Sequence, residues 1–98
     1  MSQSAASLVR EHMRLAILEA LSVAGAYRLH EYLLLERVRA LGLGTTRDAL
    51  RGELAWLAEQ GLMTQDAIEG AIIATLTDRG LDVAQGLAIV PGVSRPRP

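Results

Sequence analysis

Three stretches with apolar residues at every third or fourth position, each closed by glycine, are followed by two β-branched apolar runs joined by a short polar link. This change of period restricts the chain to a fold that is mainly α with a small β-hairpin. Ser7 can cap a first helix running to about Ser22, in which Met13, Ile17, Ala20, Leu21 and Ala24 form one stripe. Gly25 stops it. A second helix fits His30 to Leu41, with Leu34, Val38 and Leu41 inward and Arg37 and Arg39 outward, before Gly42 and Gly44 break the pattern. Thr45-x-x-Asp48 has the form of a capping box with Asp in place of Glu, and opens a third helix to about Gln60 whose inner stripe is Leu50, Leu54, Leu57 and Ala58. After Gly61, the runs Leu62–Thr64 and Ala71–Leu76 read as a hairpin joined through Asp66 to Gly70. Thr77 then caps a short fourth helix from Asp78 to about Leu87. Pro91, Gly92, Pro96 and Pro98 forbid regular structure beyond it. The expected organisation is one domain over residues 1–88 and a flexible Arg/Pro tail over 89–98.

With 98 residues and no cysteine, the chain has no disulfide framework, thiolate metal site or cysteine nucleophile. No uncharged stretch in its body approaches the roughly 20 residues of a membrane span. The start, Met1 to Ser7, lacks the basic and apolar regions of a secretory leader, so a cytoplasmic location is expected. The formal net charge of −1 hides an uneven distribution. Residues 28–51 hold Arg28, Arg37, Arg39, Arg47 and Arg51 against Glu31, Glu36 and Asp48, whereas residues 52–82 hold only Arg79 against six acids. Every basic residue is arginine, the side chain suited to phosphates and base edges but also to buried ion pairs.

Three helices, a hairpin and a further helix follow the order of a winged helix-turn-helix domain. The stretch Thr46-Arg47-Asp48-Ala49-Leu50-Arg51, then Leu54 to Leu62 with its closing Gly-Leu, and Ala74-Thr75-Leu76-Thr77-Asp78-Arg79-Gly80 resemble winged-helix regulators of the ArsR and MarR kind. The whole length, including the ending Val90-Pro91-Gly92-Val93-Ser94-Arg95-Pro96-Arg97-Pro98, is similar to a family of small proteins of Mu-like phages and prophages. The resemblance implies a DNA-binding transcriptional regulator, dimeric on a palindromic site, in a bacterial host. The absence of cysteine departs from metal-sensing members, so metal sensing is not implied.

In the resembled families the first turns of the third helix enter the major groove, which assigns Thr45, Thr46, Arg47 and Arg51 to DNA. Arg47 and Arg51 are four residues apart and share one side of the helix, where either could pair with a guanine edge. The alternative for both is a solvated face with ion pairs to acids. Arg37 and Arg39 of the second helix, and Arg95 and Arg97 of the tail, complete the expected DNA-binding set. Asp48 and Glu53 oppose a phosphate surface, as do Asp66 and Glu69 at the hairpin tip. These acids keep open a second reading, a winged-helix adaptor of phage development that binds protein and not DNA.

Trp56 is either a cover for the wing or a satellite cluster, or an exposed partner-binding anchor. Gly52, in a helix interior, suggests a close approach by another helix or by a nucleic-acid backbone. Glu11, Glu19, Glu31 and Glu36 read as a solvated face. No catalytic set, metal set or cofactor motif is present: His12 and His30 have no ligand spacing, and Gly42-Leu43-Gly44 lacks the surroundings of a nucleotide loop. Neither enzymatic activity nor a small-molecule substrate is expected. A half-apolar chain this short predicts leftover apolar surface and a homodimer; Leu8, Val9, Leu15 and Leu18 on the first helix and Leu33 and Leu35 on the second lie off the inner stripes, which places the expected interface among these elements and the last helix.

Overall fold

A computed structural model describes residues 4–97. Met1 to Gln3, the beginning of the stretch read for a leader, and Pro98 of the tail lie outside the described residues. Helix α1 (Ala5–Ser22) starts one turn earlier than expected. Its cap is Ser4, whose Oγ accepts from the Ser7 N–H at 3.1 Å, so Ser7 is a capped residue and not the cap. A single 3₁₀ turn, Gly25–Tyr27, then carries Ala26 and Tyr27 at left-handed φ of 55° and 57° and turns the chain into a three-residue strand β1 (Arg28–His30).

Helix α2 (Glu31–Ala40) is capped by His30, whose Nδ1 accepts from the Tyr32 N–H at 3.0 Å. Leu41, expected inside, lies past the helix end and is half exposed. Helix α3 (Arg47–Glu59) is capped by Thr46 in place of Thr45, its hydroxyl accepting from the Ala49 N–H at 3.1 Å. The box is thus displaced by one residue, and Asp48 serves as a first-turn acid on the helix dipole. Strands β2 (Met63–Ile68) and β3 (Ala71–Leu76) meet at Glu69-Gly70, both at positive φ, the two-residue turn whose twist suits a hairpin. Asp66 therefore sits within β2, opposite Ile73, and not in a loop. Helix α4 (Asp78–Ala84) is capped by Thr77 as expected and ends before Leu87, which is exposed.

The sheet order is β1-β3-β2, antiparallel throughout. The architecture is α+β, four helices with a three-stranded antiparallel sheet, in an order compatible with a winged helix. The sheet gains a strand over the expected hairpin because β1 pairs with β3, more than forty residues away, and three residues are too few to show a strand pattern in the sequence.

Ile17, Leu18 and Leu21 of α1 pack with Leu34 and Val38 of α2, Leu50, Leu54 and Leu57 of α3, and Met63, Ala74 and Leu76 of the sheet. Because α2, α3, α4 and β3 all pack on α1, residues off its main stripe are covered too. Leu15 and Leu18, and Leu35 on α2, are buried, which corrects their expected place at an interface; Leu8, Val9 and Leu33 are exposed.

The C-terminal segment also differs from the expected free tail. Val90 and Val93 enter the core, the Ser94 N–H donates to the Glu11 carbonyl at 3.2 Å, and Pro96 packs against Gly86. Proline and glycine break regular structure there without preventing their apolar neighbours from packing.

Gly52 contradicts the expected crowding, since a Cβ built on it meets no atom within 4 Å. Gly52→Ala is expected to raise stability by about 0.5–1 kcal/mol through helix propensity alone. A urea midpoint that fails to rise would show that the position is constrained.

Candidate nucleic-acid interface

Glu31, the first residue of α2, is the centre of the region formed by α2, α3 and the hairpin turn. Only 2% exposed, it is a buried carboxylate and not part of a solvated face. Oε1 accepts from Arg47 Nε at 3.1 Å and Arg51 Nε at 2.7 Å, and Oε2 accepts from Arg51 Nη2 at 2.7 Å and from the Ile72 backbone N–H. Four donors fill the acceptor sites of one carboxylate. Arg51 Nη2 also donates to the Gly70 carbonyl at 2.9 Å, and Arg47 Nη2 reaches the same oxygen at 3.5 Å. The α3 arginines thereby fasten the start of α2 to the hairpin turn. The Arg51 guanidinium, working against the effect of burial and helped by Arg47 and Ile72, holds the Glu31 carboxyl well below the usual carboxylate range. Reciprocally, Glu31 raises the Arg51 pKa.

The two arginines are not equivalent. Arg51 is one-third exposed and supplies two donors to Glu31, so its fork is committed inside the protein. Arg47 is 59% exposed and gives Glu31 only its Nε, leaving Nη1 directed to no protein acceptor among the described residues. Arg47 also lines a small cavity of about 170 Å³ with His30, Tyr32 and Leu35.

The other expected DNA residues are dispersed. Arg39 donates twice to the Thr45 carbonyl, at 3.0 and 3.2 Å, and so shapes the α2–α3 turn that leads to Thr46. Arg37 lines a groove between α1 and α2 with Glu19, Val23 and Leu41. Arg95 and Arg97 line another with His12, Leu41 and Leu43. The grooves lined by Arg37 and by the tail arginines do not include Arg47 or Arg51.

Trp56 is half-buried. Arg14 stacks 3.9 Å from its ring centroid while donating to Glu53 at 2.8 Å and to the Gly92 carbonyl at 3.0 Å. A Cβ on Gly92 would lie 2.8 Å from the ring, so the C-terminal segment covers the tryptophan expected to anchor a partner. Glu53, expected to oppose phosphate, is buried under the same arginine. The exposed face of α3 carries Asp48, Gly52, Ala55 and Glu59.

Sequence reasoning placed Arg47 and Arg51 on one side of α3 but missed Glu31 and Arg14. Their partners lie 16 to 78 residues away, beyond the reach of any helical spacing. Among the described residues no helix is long and apolar enough to cross a membrane, and no group of three or more His, Cys, Asp or Glu residues could hold a metal ion.

The fold and this bracing define a small α+β domain whose third helix and hairpin are tied to one buried carboxylate. Over 91 residues, 93% of its length, the chain is 43% identical to the uncharacterized protein gp26 of Escherichia phage Mu, covering 94% of that protein. It is also 36% identical over 75 residues, 76% of its length, to an uncharacterized protein of Haemophilus influenzae (strain ATCC 51907 / DSM 11121 / KW20 / Rd), covering 72% of it. The chain belongs to the family of the phage Mu protein gp26. No protein-family model matches it.

Proposed function

We propose that the protein is a winged-helix DNA-binding regulator of a Mu-like phage or prophage, working without a cofactor or catalytic activity in the host cytoplasm. The observation that carries the reading is the exposed Arg47 guanidinium at the start of α3, oriented by Glu31 and followed by an unobstructed helix face at Gly52. A carboxylate that engages one edge of an arginine limits its rotamers, so fewer are lost when its other N–H groups meet a base or phosphate. Thr46 stands beside it at the helix start, where backbone N–H groups and the dipole favour a phosphate. Arg51 supports Arg47 through their common partner Glu31 and is a positioning residue in this reading. Exposed Leu8, Val9 and Leu33 offer an apolar contact for a homodimer.

Arg47→Lys keeps the charge and loses the fork. On a cognate site it is expected to cost about 1–3 kcal/mol of binding, with little change on random DNA. Binding titrations on both DNAs, with the unfolding midpoint measured in parallel, check this. Equal losses on the two DNAs would remove base reading from Arg47. The acidic hairpin and the acids on the outer face of α3 favour the second reading, an adaptor that binds protein, for which Arg47→Lys leaves DNA affinity unchanged.

A further inference from the structure

Two features are not used by the DNA contact centred on Arg47, the acidic hairpin and the arginines that end the chain. On β2, Asp66 and Ile68 are two residues apart, so they project from the same face of the sheet, and both are exposed next to Glu69 in the turn. Ile68 is half exposed, an apolar side chain flanked by two carboxylates. The hairpin tip contains no basic residue.

A groove of about 640 Å³ has the opposite character. His12, Arg95 and Arg97 line it against the single acid Glu19, and Leu15, Ala16, Leu41 and Leu43 supply an apolar floor and wall. Neither Arg95 nor Arg97 forms an ion pair among the described residues. Their backbone is held in place: the Ser94 N–H is bonded to the Glu11 carbonyl of α1, and Pro96 rests on Gly86. The arginines therefore belong to a built surface.

We propose that the hairpin tip of one copy docks in this groove of a second copy, Ile68 entering between Leu41 and Leu43 while Asp66 and Glu69 meet Arg95 and Arg97. The surfaces match in charge sign, and each provides an exposed apolar residue for the other to cover. Because hairpin and groove are different patches of one chain, the contact is head-to-tail. Each added copy leaves one hairpin and one groove free, so association continues until the ends close into a ring or remain open.

Charge reversal provides the test. In one variant Asp66→Arg and Glu69→Arg reverse the hairpin, and in the other Arg95→Glu and Arg97→Glu reverse the groove. All four positions are exposed, and circular dichroism establishes that both variants fold. By sedimentation velocity at low salt, the unmodified protein is expected to grow in mass with concentration and to shrink on adding salt. Each variant alone should associate at concentrations at least about tenfold higher, whereas their equimolar mixture should recover the lost mass because each hairpin again faces a groove of opposite sign. Ile68→Ser should weaken the contact without changing its salt dependence. An unmodified chain that never exceeds monomer mass overturns the proposal and leaves the groove to another acidic partner. Association unaltered in both reversed variants, or a mixture that does not recover, overturns it as well.

Discussion

Replacing Gly80 by alanine is expected to remove about 3 kcal/mol or more of stability, enough to leave much of a small domain unfolded near body temperature. A Cβ at Gly80 would lie 1.9 Å from the Leu62 carbonyl oxygen, 2.9 Å from its carbon and 2.7 Å from Leu76 Cδ1. Two of those atoms are backbone, and they cannot swing away as the end of a side chain can. The Leu62 carbonyl is itself fixed by the Thr77 N–H at 3.2 Å, while the Thr77 hydroxyl donates to the Gly61 carbonyl at 2.8 Å. The same hydroxyl accepts from the Gly80 N–H at 3.0 Å and caps α4. An added methyl group would thus break the junction between α3, the hairpin and α4 together. Chemical denaturation of Gly80→Ala beside Gly52→Ala gives the check, since the two helix glycines should respond with opposite signs. A Gly80→Ala loss below about 1 kcal/mol would show that α4 can move off Leu62 at little expense.

The second large effect is at Glu31. Glu31→Ala leaves the Ile72 N–H without its acceptor and removes the shared partner of Arg47 and Arg51. The arginines are partly exposed and can turn to water, so the loss should be about 2 kcal/mol and not the larger penalty of stranding a buried charge. In a domain of this size that lowers the melting temperature by about 10 °C. Arg51→Met should destabilise more than Arg47→Met, because Arg51 provides two of the four donors and Arg47 one.

The pH dependence has a definite sign. The folded-state pKa of Glu31 is depressed, so the carboxylate's contribution is complete above its unfolded pKa and declines as pH falls from about 5 toward the folded value. Glu31→Gln should flatten this part of the acid profile. An identical acid profile for the variant and the unmodified protein would contradict the ionised, four-donor arrangement.

The helices were legible because their information is local. Apolar spacing and glycine stops located α1, α2 and α3, and Thr77 marked α4, although the caps of α1 and α3 lay three residues and one residue from the expected positions. Strand β1 was not legible, since Arg28-Leu29-His30 is too short to show alternation and is held by β3. Glu31 looked like any helical surface acid for the same reason: burial is conferred by Arg47, Arg51 and Ile72, which the chain brings from later in the sequence. The tail was misread because Pro91 and Gly92 describe backbone regularity and say nothing of whether Val90 and Val93 find a core. Within the candidate site, the i,i+4 relation placed Arg47 and Arg51 together. It could not reveal that Glu31 accepts two hydrogen bonds from Arg51 and leaves Arg47 largely outward.

DNA binding through the start of α3 is tested most directly by a salt-titrated shift assay on the DNA flanking the protein's own gene. The unmodified protein is expected to bind at low salt, with log affinity falling linearly in log salt concentration, and Arg47→Ala should reduce the magnitude of that slope by about 1. No binding by the unmodified protein at low salt, or a slope that Arg47→Ala leaves unchanged, would contradict it.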